Sequence, residues 1–217
     1  MRRLLLALCL GSTSARAADD PMASRVGNTT LVIEPNGAVV HMLYRADHSF
    51  LAKSSRGQID GQWTLADGKL CLQFKSPVPG IGDKECGPAD SHAVGDVWLL
   101  GGRHVALIKG DVLEDTPEAL AALAAASRVG NTVVAKDPDR TVTRIYWRPD
   151  HSFSATRPGW KTEGTWRYEG SSLFLHYDVP RPGMGSDEEM KNATPRKVGE
   201  VWGMADRQVT LAAGEQL

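Results

Sequence analysis

Asp47-His48-Ser49 and Asp150-His151-Ser152 set the three residue types of a hydrolytic triad side by side, twice in one chain. Adjacency works against that chemistry. A nucleophile and its base must face each other within hydrogen-bond reach, whereas neighbours along an extended chain point to opposite sides. Each triplet therefore reads as a reverse turn, in which the aspartate bonds its own backbone and the histidine adopts an unusual dihedral. A sharper alternative brings His48, His151, Asp47 and Asp150 together across a pseudo-two-fold axis, where two imidazoles and two carboxylates would suit zinc or copper. Nothing in the sequence requires those turns to meet, and no metal or cofactor is expected.

A second set of residues suits binding. Trp63 and Trp166, each two residues after a glycine, fit either the end of a β core or a stacking surface. The loops Pro77-Val78-Pro79-Gly80-Ile81-Gly82 and Pro180-Arg181-Pro182-Gly183-Met184-Gly185 are stiff turns of the kind that shape a barrel mouth. Candidate ligand contacts are accordingly Trp63, Trp166, His48, His151, Pro79, Pro182 and Met184. Arg25 and Arg128 can bond carbonyls or carboxylates, a structural salt bridge being the simpler reading. His41, His92, His104 and His176 lack histidine counterparts and read as surface or strand residues.

Arg2-Arg3, the apolar run Leu4 to Leu10 and Ala15-Arg16-Ala17 together form a secretory signal, with cleavage expected after Ala17. Export leaves Cys71 and Cys86 as an even pair in an oxidising compartment, and a disulfide is expected between them. The address is periplasmic or secreted. Formal net charge is -1, which argues against a partner bound through phosphates, so nucleic acid is excluded. No later apolar run is long enough for a membrane span.

All of these residues sit in a duplicated frame. Ser24-Arg25-Val26-Gly27-Asn28-Thr29 returns letter for letter as Ser127-Arg128-Val129-Gly130-Asn131-Thr132, an offset of 103 (127 less 24). The same offset carries the Asp-His-Ser turns, the Gly-x-Trp motifs and the proline-rich loops. One residue is then gained, so that Gly95-Asp96-Val97-Trp98 meets Gly199-Glu200-Val201-Trp202. Period-two or continuous apolar runs bounded by turn residues predict seven strands in the first copy: Thr30 to Ile33, Ala38 to Arg45, Ser49 to Lys53, Gln58 to Leu65, Lys69 to Phe74, Val94 to Leu100 and His104 to Ile108. Lys75 to Ala93 and Val179 to Lys197 read as long loops, the first tethered by the disulfide. Leu70, Leu72 and Phe74 share the core face, which turns Cys71 outward.

Between the copies Asp115-Thr116-Pro117-Glu118 supplies an N-cap, an early proline and an acidic first turn, followed by an alanine and leucine run. A helix of about two to three turns follows, with a stripe that docks on a unit. The expected organisation is a signal at 1–17, a first β unit at 18–110, a helical connector at 111–126 and a second β unit at 127–217. The fold class is all-β: two tandem antiparallel meander units, each a small barrel or sandwich, joined by a short α-helix.

The Gly-Asn-Thr opening, the Asp-led turn, the Gly-x-Trp and the Leu-Cys or Leu-Phe strand resemble small exported bacterial β domains of uncharacterised function. The resemblance, which spans both copies, implies a lipocalin-like appearance and carries no activity with it. With no convincing nucleophile-base pair, the leading expectation is a non-enzymatic binding module that holds a small apolar or amphipathic ligand, or a cell-envelope partner, through the loops Lys75 to Ala93 and Val179 to Lys197. A hydrolase or metal-dependent enzyme with its site between the repeats, and a structural or inhibitory surface-contact protein, are the alternatives.

Overall fold

A computed structural model describes residues 20–181 and 183–217; the signal at 1–17, with Cys9, and Pro182 lie outside the described residues. The first copy forms β1 (Thr29–Ile33), β2 (Val39–Tyr44), β3 (Ser49–Ser54), β4 (Gly57–Ala66), β5 (Lys69–Val78), β6 (Gly82–Pro88), β7 (Val97–Leu100) and β8 (Arg103–Ile108). After α1 (Pro117–Arg128), the second copy repeats the series as β9 (Asn131–Lys136), β10 (Val142–Trp147), β11 (Ser152–Arg157), β12 (Trp160–Glu169), β13 (Ser172–Tyr177), β14 (Asp187–Lys191), β15 (Val201–Met204) and β16 (Arg207–Ala213). Each copy is one eight-stranded antiparallel sheet, ordered β6-β5-β4-β3-β2-β1-β8-β7 in the first and β14-β13-β12-β11-β10-β9-β16-β15 in the second, so that six strands form a meander and the chain then crosses to the opposite edge for the last two. The sheets curl into half-barrels with unpaired edges at β6 and β7, or at β14 and β15.

Each copy has one strand more than its apolar pattern predicts, and the additional strand lies inside the segment read as a loop. Gly82–Pro88 pairs with β5 as an edge strand, and Asp187–Lys191 pairs with β13. Edge strands are kept polar and short because they border solvent, so Asp83-Lys84-Glu85 and Asp187-Glu188-Glu189 carry no core periodicity. Cys71 and Cys86 are bonded as direct cross-strand partners, with Cα atoms 4.1 Å apart. The bond thus fastens the edge strand of the sheet, where sequence placed a loop.

The repeated hexapeptide is the joint between chain entry and sheet. Gly27 and Gly130 both have φ of 77°, a left-handed turn that glycine adopts without a Cβ clash. Their amides donate to the carbonyls of Tyr44 and Trp147. The Asn28 side-chain amide donates to the Ser24 carbonyl while its oxygen accepts from Gly110 N–H, and Thr29 Oγ1 donates to the Gly110 carbonyl. Asn131 and Thr132 make the corresponding bonds to Ser127 and Gly214. Six residues therefore tie the first strand of each copy to the end of its last.

The helix is capped as the sequence predicts: Thr116 Oγ1 accepts from Ala119 N–H at 3.2 Å, and Pro117 opens the first turn. It is buried on more than the one stripe expected. Ala119 and every residue from Ala121 to Arg128 are buried, because α1 is wedged between the outer face of β1, β7 and β8 and the interior of the second half-barrel. Leu31, Val97, Ala106 and Ile108 supply the first wall; Trp147, Phe153 and Leu173 are part of the same core. This double burial explains the unbroken apolar run of β8. Val105 and Leu107 face the inside of the first sheet, while Ala106 and Ile108 face the helix. The lead into α1 is fastened to the same outer face by His41, whose Nδ1 lies 3.0 Å from the Val112 carbonyl and whose Nε2 lies 3.1 Å from Asp115.

Candidate functional site

The Asp-His-Ser turns resolve into a structural device. Asp47 Oδ1 accepts from both Ser49 N–H at 2.9 Å and Ser49 Oγ at 2.6 Å, and Asp150 accepts the same pair of bonds from Ser152. These bonds hold both carboxyls below the usual carboxylate range. The serine hydroxyl proton is committed to aspartate, so no serine-to-imidazole relay forms. His48 and His151 both adopt φ of 65°, which stacks their rings on Trp63 and Trp166 with centroids 4.3 Å and 4.2 Å apart. The indole N–H of each tryptophan donates to the carbonyl of Arg45 or Arg148 across the same turn.

The Gly-x-Trp glycines have a second reason to be glycine. A Cβ at Gly61 would stand 2.1 Å from the Gln73 carbonyl oxygen and 2.7 Å from the Phe50 ring; at Gly164 it would stand 2.1 Å from the His176 carbonyl oxygen and 2.5 Å from Phe153. A phenylalanine ring is pressed onto bare backbone at the same place in each copy. Turn, tryptophan and glycine together close one end of the half-barrel. His48, Trp63, His151 and Trp166 belong to this closure, and none of them lines either of the two half-barrel cavities.

Cavities lie instead on the hollow faces of the two sheets. In the first copy alternate residues converge on a space of about 360 Å³: Thr30 and Val32 from β1, Val40, Met42 and Tyr44 from β2, Ile59 from β4, Leu70, Leu72 and Phe74 from β5, and Trp98 and Leu100 from β7. Such a volume falls within the range of about 300–1,000 Å³ typical of small-ligand pockets. The corresponding space in the second copy is about 70 Å³. Backbone topology is shared, so side chains make the difference. At matched positions Tyr44 becomes Trp147, Phe74 becomes Tyr177 and Gly87 becomes Met190, and each larger group lines the smaller space. Trp160 adds to them, held by its indole N–H donating to the Val179 carbonyl at 3.1 Å. Met184 lines this second cavity, and Pro79 lies exposed beyond the end of β5.

Polar groups on the first cavity are few and differ in how they are satisfied. Arg103, at the start of β8, donates through Nε to Glu34 at 3.0 Å and through Nη1 to Glu85 on β6 at 2.8 Å. The second of these ion pairs bridges the two sides of the open seam, and the carboxylates raise the guanidinium above its ordinary value, Glu85 foremost. In the second copy Arg207 keeps the bond to Asp137 at 2.8 Å, while Glu188 accepts from Tyr177 Oη. Arg25 is different. Its guanidinium lies 5.6 Å above the Trp98 ring and donates to the Asp90 carbonyl at 3.0 Å, without an ion-pair partner among the described residues. Burial pulls Arg25 below its ordinary value and pushes Tyr44, alongside it, up to about 12.

Among the described residues no three histidine, cysteine, aspartate or glutamate side chains are grouped so that they could hold a metal ion, and no helix is long and apolar enough to cross a membrane. The Asp-His-Ser turns lie outside both linings, whereas the proline-rich loops reach them through Val78 and Ile81 in the first copy and Arg181 and Met184 in the second; the strand residues that supply most of the lining were not singled out as ligand contacts by the sequence. The signal was present in the inward alternation of β1, β2 and β5, but hollow and filled half-barrels share that alternation. No family model matches the chain, and neither the curated proteins nor the solved structures contain a match.

Proposed function

We propose that the protein is an exported binding module whose first half-barrel takes up a small amphipathic molecule, with the second half-barrel and α1 serving as its scaffold. The observation that carries this reading is the contrast between a cavity of about 360 Å³ and one of about 70 Å³ on two sheets of the same topology. A lining dominated by aliphatic and aromatic side chains with a few fixed polar groups suits a ligand that is mostly apolar. The Cys71–Cys86 bond supports an oxidising location, as the signal at 1–17 does, and a periplasmic or secreted carrier of an apolar compound fits both.

Titration with a neutral naphthylamine dye, whose emission rises in apolar surroundings, tests the reading. Saturation at one dye per chain is expected. Gly87→Met, which gives the first copy the residue that the second carries as Met190, should weaken that binding roughly thirtyfold. A dye that fails to bind the wild-type chain, or binds the variant equally well, overturns the proposal.

A further inference from the structure

We infer that the first cavity selects an amphiphile with an anionic carboxylate head, received by Arg25 and Thr30. This inference rests on the cavity being a ligand site. Two polar atoms in its lining residues are buried and have no hydrogen-bond partner: Arg25 Nε and Thr30 Oγ1. Both residues are only 5% exposed, so solvent cannot readily replace the missing partners. A buried N–H or hydroxyl without a partner is costly, and an unpaired buried guanidinium is costlier still.

Glu34 and Glu85 are held by separate nitrogens of Arg103, which leaves Arg25 as the lining cation without an ion pair. A carboxylate accepts from a guanidinium and from a hydroxyl at once, and it would give Arg25 the direct ion-pair partner that it lacks among the described residues. Trp98 under the guanidinium fixes its plane, and the apolar walls from Leu70, Leu72 and Phe74 suit an acyl tail.

The second copy lacks this arrangement although it retains the arginine. Thr30 is replaced by Val133, and Arg128 spends Nη1 on the carbonyls of Ala124 and Thr194 at 2.6 Å and 3.3 Å. The second copy does have an unpartnered hydroxyl in its lining, Thr143 Oγ1, and an unpartnered arginine Nε, that of Arg196 over Trp202, but Arg196 is paired with Glu200 and the space there is only about 70 Å³.

Decanoate and its chain-matched neutral alcohol, titrated calorimetrically into the full mature chain, separate head from tail. Wild type should bind decanoate about ten- to a hundredfold more tightly than decanol, the factor expected of a charged hydrogen-bonded head. Thr30→Val, which copies the second unit, should reduce that ratio severalfold, and Arg25→Gln should bring it near one while decanol still binds. Equal affinities in wild type, or a ratio unchanged in Thr30→Val, overturn the carboxylate assignment and leave the apolar site standing. Failure of both compounds to bind wild type removes the site itself and this inference with it.

Discussion

Filling the first hollow with the side chain that fills the second should stabilise the protein and weaken the ligand binding proposed for it in one step. Gly87 sits opposite Leu70 on β6, as Met190 sits opposite Leu173 on β14, so a side chain placed there shares the inward face. A Cβ at Gly87 would meet no atom within 4 Å, and the residue is absent from the positive-φ glycines, so methionine enters without backbone strain. Burying the methionine side chain contributes about 1.5–3 kcal/mol. Replacing glycine in a strand adds about 0.5–1 kcal/mol, and freezing the side chain costs about 1.5–2 kcal/mol. The net is a stabilisation of about 1 kcal/mol, or roughly 2–4 °C in Tm for a cooperative unit of this size. Displacing about three methylene-sized groups of ligand forfeits about 2 kcal/mol, roughly thirtyfold in Kd. Calorimetric melting and dye titration on the same samples read both effects. Gly203→Met is the control, because Gly203 is an exposed strand glycine with open space around it and no place in either cavity lining. A Gly87→Met variant that melts lower than wild type and binds dye equally well would refute the reasoning, since the side chain would then have found no cavity to fill.

The remaining predictions address the scaffold. The bond between Cys71 and Cys86 closes a separation of 15 residues, so the double serine variant should lose about 3 kcal/mol by the chain-entropy argument, with β6 amides first to lose hydrogen-exchange protection; protection unchanged on β6 would exclude this role. Gly61→Ala should destabilise by about 2 kcal/mol in urea unfolding, because the new methyl meets the Gln73 backbone as well as the Phe50 ring. At alkaline pH the fold should weaken as pH rises above about 10. Burial raises Tyr44 to about 12 and raises Tyr168 and Tyr177 as well, so the unfolded chain releases phenolic protons that the native chain retains. Tyr44→Phe should flatten part of that slope in pH-dependent urea titrations; a slope of the opposite sign would contradict the burial of these rings.

Much of the architecture was legible because the duplication checks itself. A glycine two residues before tryptophan, found twice, pointed to close approach of a ring or backbone, and Phe50 and Phe153 are those rings. The helix start followed from Asp115-Thr116-Pro117-Glu118 alone. What escaped was information carried by pairs of distant residues. β6 and β14 are strands because β5 and β13 offer them an edge, and their own charged residues show no apolar period. The two-sided burial of α1 was encoded in the continuous Val105-Ala106-Leu107-Ile108, which reads equally well as any fully buried strand. The loops at 75–93 and 179–197, named from the sequence, do contribute to the cavity linings, but the strand part of the candidate site escaped for the same reason: inward alternation is visible in one strand, whereas the space left between inward residues depends on sizes across the whole sheet.

Duplication supplies the reason that one copy can remain hollow. A curled sheet with an unfilled face forgoes packing that would stabilise it, and a small domain has little stability to spare. Here the first sheet receives apolar burial on its other face, where Leu31, Val97, Ala106 and Ile108 pack on α1, and it receives a disulfide at its edge. The second sheet has neither. Val134, Val201, Thr210 and Ala212 stand at the positions matching Leu31, Val97, Ala106 and Ile108; none is fully buried, and Val201 is 54% exposed. It relies on its interior, with Trp147, Phe153 and Trp166 packed in the core that α1 also joins. The two departures are complementary: external support coincides with the open interior, and the filled interior coincides with the bare exterior. That correlation favours retention of the first cavity for a ligand over incomplete packing, because the disulfide and helix sustain the sheet without closing the space.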